Sequence, residues 1–439
     1  MASLVEIQSA SPPAPPQPED GPSDLKQLLK SLGPGLITGA SDDDPSGIGT
    51  YAVAGASLGY ATLWTALASF PMMTAVQYTC AKIGMVSGTG LAGVLRERFP
   101  RPLLYAAVFA LVMANSVNAG ADIGAIAAAI NLLVPIPLVM LIVPIGMTIL
   151  ALQIFGSYEV ITRCFKWVTV GLLAYIGASL FARPDWGDVL RGTFLPTVSL
   201  DPGYISTLVA IFGTTISPYM FFWQPSQEVE EEIEHGRVTL AQRRGASSSE
   251  LRAAAADTRI GMFFSNLIMY FIILATGATL FQAGQTQITS AAQAAEALRP
   301  LAGDAAALLL AVGLIGSGFL AVPVLTGSSA YAVAETFGWK EGLGRKARDA
   351  RGFYAVIIAG TAVGMLFNFL GINPIDALFW TAVLNGFLAP PLLVLVMLVA
   401  NTRDVMGSRT NGPWLNLLGW GTTVVMFAAA IGLVVTWGR

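Results

Sequence analysis

Asp42, Asp43 and Asp44 stand together inside an otherwise apolar stretch, followed at once by Pro45, Ser46 and Gly47. Carboxylates are hard oxygen donors, and a proline next to glycines opens the backbone ladder so that carbonyl oxygens can join them. In hydrocarbon, charge and broken backbone are tolerated mainly where they line a cavity or meet a cation. The chemistry this stretch offers is therefore cation binding. Asp44, beside the break, is the best single ligand, while Asp43 and Asp42 would line an aqueous approach or cap the local backbone.

A second interruption of the same kind runs from Gly213 to Pro225, with Ser217-Pro218 in mid-span. The candidate donors there are the carbonyls around Thr215 and Ser217 and the side-chain oxygens of Thr215, Ser217 and Tyr219. Gln224, one turn further on, would hold a water. Gly47 and Ser217 are small, which leaves room for a partly hydrated ion. A third apolar stretch carries Asn115, Asn118 and Asp122 about one turn apart; the asparagines either bridge neighbouring helices or face the path. Asp122 needs a partner or water, since an isolated carboxylate in a span is costly. Asn385, beside Gly386, is a further pathway candidate. Met220 is the nearby thioether and reads as packing. The resulting oxygen set suits Mg2+ or Mn2+ over thiophilic metals. The one histidine, His235, sits among acids and reads as a surface residue. Neither Asp122 nor His235 assembles a nucleophile with a base, so no enzyme is expected, and no cofactor beyond the transported ion.

The elements that must position these residues are membrane helices. Hydrophobic residues make up 54% of the 439-residue chain and charged ones 12%, about half the charged share of a soluble protein. Eleven apolar stretches are expected to cross a bilayer, at about 34–58, 61–84, 103–129, 136–156, 161–181, 204–227, 258–281, 304–334, 350–370, 374–399 and 415–437. With the N-terminus inside, nearly all lysines and arginines fall in inner segments, and the outer ones hold only Arg183, Arg191, Arg299 and Arg439. This asymmetry predicts a cytoplasmic N-terminus and an external C-terminus in the inner membrane of a prokaryote. Residues 1–30, rich in Pro and Ser, read as a disordered cytoplasmic tail; 31–439 form the transmembrane domain, with 228–257 as a cytoplasmic loop. The segment 182–203 reads as an outer loop with an interfacial piece. Cys80 and Cys164 do not make a disulfide framework. Basic residues parcelled among short loops argue against nucleic-acid binding, and the expected unit is a monomer in the lipid bilayer. Interruptions in spans one and six, five apart, are what an inverted repeat of five helices plus five would give.

From about residue 33 to 437 the chain resembles the Nramp family of divalent-metal transporters. Gly33-Pro-Gly35 and Asp44-Pro45 look like the family's Asp-Pro-Gly-Asn break in helix one, and Gly213 to Pro218 looks like the approach to its Met-Pro-His-Asn break in helix six. Thr326 to Tyr331, the helix holding Asn385, and the loop from Asn401 to Gly407 follow the family layout. The resemblance implies an all-helical LeuT-type fold, with helices 1–5 and 6–10 inverted relative to each other and helices 1 and 6 broken. It also exposes departures. Gly47 stands where the family has Asn, Ser217 where it has its metal-binding Met, Tyr219 and Gln224 where it has His. Ala119 and Asp122 match its proton-passing acid pair in helix three. This pattern is similar to the Nramp-related magnesium transporter branch, which implies alternating-access uptake of Mg2+, with Mn2+ also accepted, uncoupled from protons. The alternative is a proton-coupled Mn2+ or Fe2+ symporter that uses Asp44 and Asp122 in place of the missing histidines.

Overall fold

The computed structural model describes residues 33–156 and 174–436. The expected tail at 1–30, the first part of span five and Cys164 lie outside these residues. Among the described residues the structure is helical throughout, without strands. The first crossing is split into α1 (Pro34–Asp42) and α2 (Pro45–Leu58). It is followed by α3 (Trp64–Ser87), the short α4 (Leu91–Arg98), α5 (Arg101–Leu133) and α6 (Leu138–Phe155). Residues 174–181 are helical and belong to the expected fifth crossing. A short helix, α7 (Trp186–Phe194), lies in the expected outer loop.

The sixth crossing is again split, into α8 (Pro202–Thr215) and α9 (Pro218–Glu234). The remaining long helices are α10 (Ser248–Thr276), α11 (Ala306–Phe337), α12 (Arg351–Phe367), α13 (Pro374–Asn401) and α14 (Pro413–Thr436). Among the described residues eight helical stretches, α8 and α9 taken together as one, are long and apolar enough to cross a membrane on that basis alone. The other three expected crossings escape for physical reasons. The first carries Asp42, Asp43 and Asp44 in every stretch long enough to span, the second is diluted by Thr, Ser, Gln, Gly and Lys82, and the fifth is described only in part.

The stretch 228–257, expected as a loop, is helical up to Glu234 and again from Ser248. Glu228 and Glu232 are buried, because α9 carries its acids on against α4 and α11 before the chain turns. His235 caps that helix in an exposed position. Ser247 starts α10 with a capping box, its hydroxyl accepting from the Glu250 amide while Glu250 reaches back to the Ser247 N–H.

Lipid supplies no hydrophobic force between helices, so close approach rests on small residues. A Cβ on Gly39 would stand 2.4 Å from the Gly261 carbonyl carbon, and one on Gly213 would stand 2.0 Å from the Ala382 oxygen and 2.8 Å from Gly386 Cα. Thus α1 touches α10, and α8 touches α13, backbone to backbone just before each break. Both half-helices are held where they end.

Candidate cation site at two helix breaks

The first break starts from a fixed half-helix. Asp257 on α10 accepts hydrogen bonds from the Gly33 and Gly35 amides at 3.2 and 2.7 Å, so a neighbouring helix caps the N-terminus of α1. Thr38 and Gln224 on α9 share a short hydrogen bond, and Gln224 Nε2 donates to Glu228 Oε1 at 2.8 Å. Gln224 is thereby a tie between α9 and the middle of α1. It lies a turn and more away from the break itself.

At the break, Asp44 is the N-cap of α2, and its Oδ1 accepts from the Gly47 amide at 2.6 Å. Pro45 at the first helical position lacks the N–H that would be orphaned there. Asp44 Oδ2 faces α5, where Asn118 Nδ2 donates at 3.4 Å. Asp42 and Asp43 turn the other way, toward α10. Ser265 donates to Asp42 Oδ2 at 2.5 Å and lies 3.4 Å from Asp43 Oδ1, and Asp42 Oδ1 is left without a partner. Three consecutive carboxylates therefore face two different walls.

At the second break Ser217 is the N-cap residue of α9 by position, yet its hydroxyl does not cap that helix. It turns back onto α8, donating to the Gly213 and Thr214 carbonyls at 2.9 and 2.7 Å. The Thr215 hydroxyl donates back to the Ile211 carbonyl at 2.9 Å. Thr214, which the sequence did not single out, is the residue that looks across to the first break: a Cβ on Gly47 would meet its Oγ1 at 3.2 Å. Gly47 is thus the side-chain-free wall between the two interruptions. Tyr219 closes the gap, its hydroxyl donating to the Ser41 carbonyl at 2.8 Å, and Met220 is fully buried.

Other helices complete the enclosure. The two asparagines of α5 divide the roles left open by sequence. Asn115 bridges to α11 through the Leu325 carbonyl and Ser329 Oγ, whereas Asn118 points to Asp44 with its Oδ1 unpartnered. Asp122 is fully buried, feels the Asp44 carboxylate, and has no hydrogen-bond partner of good geometry on either oxygen. On α13, Thr381 and the Leu378 carbonyl hold Ser46 at 3.1 and 2.8 Å. Asn385, one turn on from Thr381, is buried.

Two C-terminal helix ends, those of α1 and α8, come together here, and their carbonyl dipoles favour positive charge. Among the described residues no three carboxylate, imidazole or thiol side chains converge tightly enough to hold a metal by themselves. A cation between the breaks would be met by one or two carboxylates, backbone carbonyls, hydroxyls and its own water. Ser265, Asp257 and Thr214 escaped the sequence reading because each acts across the fold, on a helix far away in the chain.

The family model described as natural resistance-associated macrophage protein-like matches residues 35–436. The chain is 28% identical to the divalent metal cation transporter MntH of Deinococcus radiodurans, over 93% of this chain and 90% of that protein. It is also 28% identical to the protein of the same name from Pectobacterium carotovorum, over 90% and 91%. Among solved structures it is similar to the Eremococcus coleocola manganese transporter, with a TM-score of 0.71, 19% identity and coverage of 96% and 88%. Mhp1, a nucleobase-cation-symport-1 family transporter, gives a TM-score of 0.56 at 14% identity, covering 93% of each chain. These likenesses establish the LeuT-type fold with its two broken helices.

Proposed function

Because the chain belongs to the Nramp family, we propose that it carries divalent metal cations across a membrane, with Mg2+ as the principal cargo and Mn2+ also accepted. Transport is downhill and uncoupled from protons, by alternating access around the two breaks. The N-terminus faces the cytoplasm of a prokaryote and the C-terminus lies outside. Family membership and the names of the relatives support the transport of divalent cations.

The observation that carries the finer reading is the Ser217 hydroxyl, an oxygen that lies on the α8 carbonyls at the second break. The donors seen around the gap, carboxylate, hydroxyl and carbonyl, are oxygens, which suits a hard ion that keeps part of its water. In this reading Asp44 binds the ion or its shell; Gly47 leaves the room; Ser217, Tyr219 and the carbonyls around Thr215 complete the cavity. Asp43, Asn118, Asp122 and Asn385 line the path, and Gln224 ties α9 to α1.

One feature favours the proton-coupled alternative, namely the fully buried Asp122 carboxylate on the helix that meets Asp44, since a buried acid of this kind can carry a proton. The deciding experiment is Mg2+ and Mn2+ influx into proteoliposomes with an internal pH dye, with Asp44→Ala alongside. Mg2+ entry without acidification, lost in the substituted protein, is the expected result. Entry of Mn2+ alone, accompanied by protons, would overturn the magnesium reading and leave the symporter.

A further inference from the structure

Lys82 is a buried charge that the cation route does not use. It lies near the end of α3 at 4% exposure, and no carboxylate among the described residues comes within ion-pair distance of it. Its ammonium donates to Asn411 Oδ1 and stands 6.0 Å from the Tyr78 ring centroid. Such a contact with an aromatic face offsets only part of the lost hydration. Asn411, at 8% exposure, in turn buries its Nδ2 with no acceptor. Arg409 donates to Ser248 Oγ at 3.0 Å, has no carboxylate partner either, and is close enough for Tyr78 to feel its charge. Donors and positive charge therefore exceed acceptors and negative charge around Asn411.

Next to Arg409 a cavity of about 500 Å3 opens between the ends of α3 and α4 and the segment that joins α13 to α14; Arg98, Arg244 and Arg409 lie on its wall together with Glu97 and Asp404, while Lys82 and Asn411 stand outside its lining. Arg98 is matched by Asp404 at 3.3 Å and Arg244 by Glu97 at 3.8 Å. The surplus comes from Arg409 on the wall and Lys82 behind it. Trp414, 77% exposed at the start of α14, and the exposed Tyr105 on α5 mark this end of the bundle as the level of the lipid headgroups. The positive-inside asymmetry assigns this end to the cytoplasmic leaflet, which carries anionic lipid in many membranes.

We propose that this cavity holds the phosphate of an anionic phospholipid headgroup, with Arg409 as its donor and Lys82 and Asn411 supplying the positive field behind it. The bound headgroup would fasten the ends of α3 and α4 to the segment that leads into α14, through a ligand that the bilayer itself supplies. The site lies outside the two breaks, so its failure and that of the transport reading are separable.

The test is thermal unfolding of the full chain in neutral detergent micelles doped with phosphatidylglycerol, phosphatidylcholine or inorganic phosphate. Phosphatidylglycerol is expected to raise the midpoint by several degrees over phosphatidylcholine, because a ligand bound to the folded state stabilises it. Arg409→Gln, at a half-exposed position that the fold tolerates, should remove most of that rise, and Arg191→Gln on the opposite end should keep it. Lys82→Met is a second variant expected to lose the rise if it folds. An equal rise with both lipids, a full rise retained in Arg409→Gln, or the same rise with inorganic phosphate alone would each overturn the lipid assignment.

Discussion

The two helix breaks are built alike and finished differently. Each follows a half-helix held by a glycine contact, Gly39 on Gly261 and Gly213 on the α13 backbone around Ala382 and Gly386, and each restarts on a proline, Pro45 or Pro218. At the first, the N-cap side chain is an anion that reaches forward to the Gly47 amide and keeps its other oxygen toward α5. At the second, the N-cap side chain is a neutral hydroxyl that reaches backward to the carbonyls of α8. One break thus supplies net charge and the other supplies dipoles. A site of that kind can attract a divalent ion at one edge and fit its shell at the other.

The largest effect expected from this division is at Asp44. Asp44→Asn keeps a side-chain oxygen for the Gly47 amide but removes the charge, and should lower Mg2+ influx by about 100-fold, the equivalent of nearly 3 kcal/mol. Unfolding midpoints should move little. Influx retained within a few-fold would mean that the charge which meets the cation comes from Asp43, or from Asp122 on α5, instead.

The next effect is on stability, and it tests the likeness of the two breaks. Gly39→Ala and Gly213→Ala each place a methyl against backbone that cannot turn away, so each should destabilise the protein by about 2–3 kcal/mol, the upper range for overpacking. Chemical unfolding would report it. A tolerated methyl at one position and not the other would show that the two half-helices are not held in the same way.

How far the sequence carries can be judged at these same residues. The interruption at Asp44-Pro45 and its counterpart at Ser217-Pro218 are legible because proline and charge have no other reason to stand in apolar helices. Their number and spacing led to the inverted repeat, and the structure has both breaks in place. The direction in which each side chain turns was not legible. The position of Asp44 beside the break sets it apart in sequence, but the walls that the three acids face appear only when Ser265 arrives from α10 and Asn118 from α5. The acids at Glu228 and Glu232 look like loop because charge density suggests water, and only the packing of α9 against α4 and α11 buries them.

A change of chemistry at the neutral break should have a smaller effect than loss of charge at the anionic one. Ser217→Met places a soft thioether at the second break and is expected to shift the ratio of Mn2+ to Mg2+ uptake by about tenfold toward Mn2+, or about 1.4 kcal/mol of discrimination. Competition between the two ions in proteoliposomes reads this directly. An unchanged ratio with normal uptake would mean that position 217 does not reach the cargo.

The smallest effect separates holding the site together from touching the ion. Tyr219→Phe keeps the ring and deletes one hydroxyl, the one that donates to the Ser41 carbonyl at 2.8 Å and so joins the second break to the first. The loss should lower unfolding stability by about 1 kcal/mol, the net value of a typical hydrogen bond, with a further penalty if the buried carbonyl stays unpaired. If the hydroxyl only braces the two half-helices, the Mg2+ concentration for half-maximal uptake should stay within about twofold of the parent. If the hydroxyl also meets the ion or its water, apparent affinity should fall by more than the stability change, because Asp44 would then face a cation with one donor fewer. Measuring both quantities on the same preparation shows whether the neutral break contributes a ligand through Tyr219 or only the frame that presents Asp44.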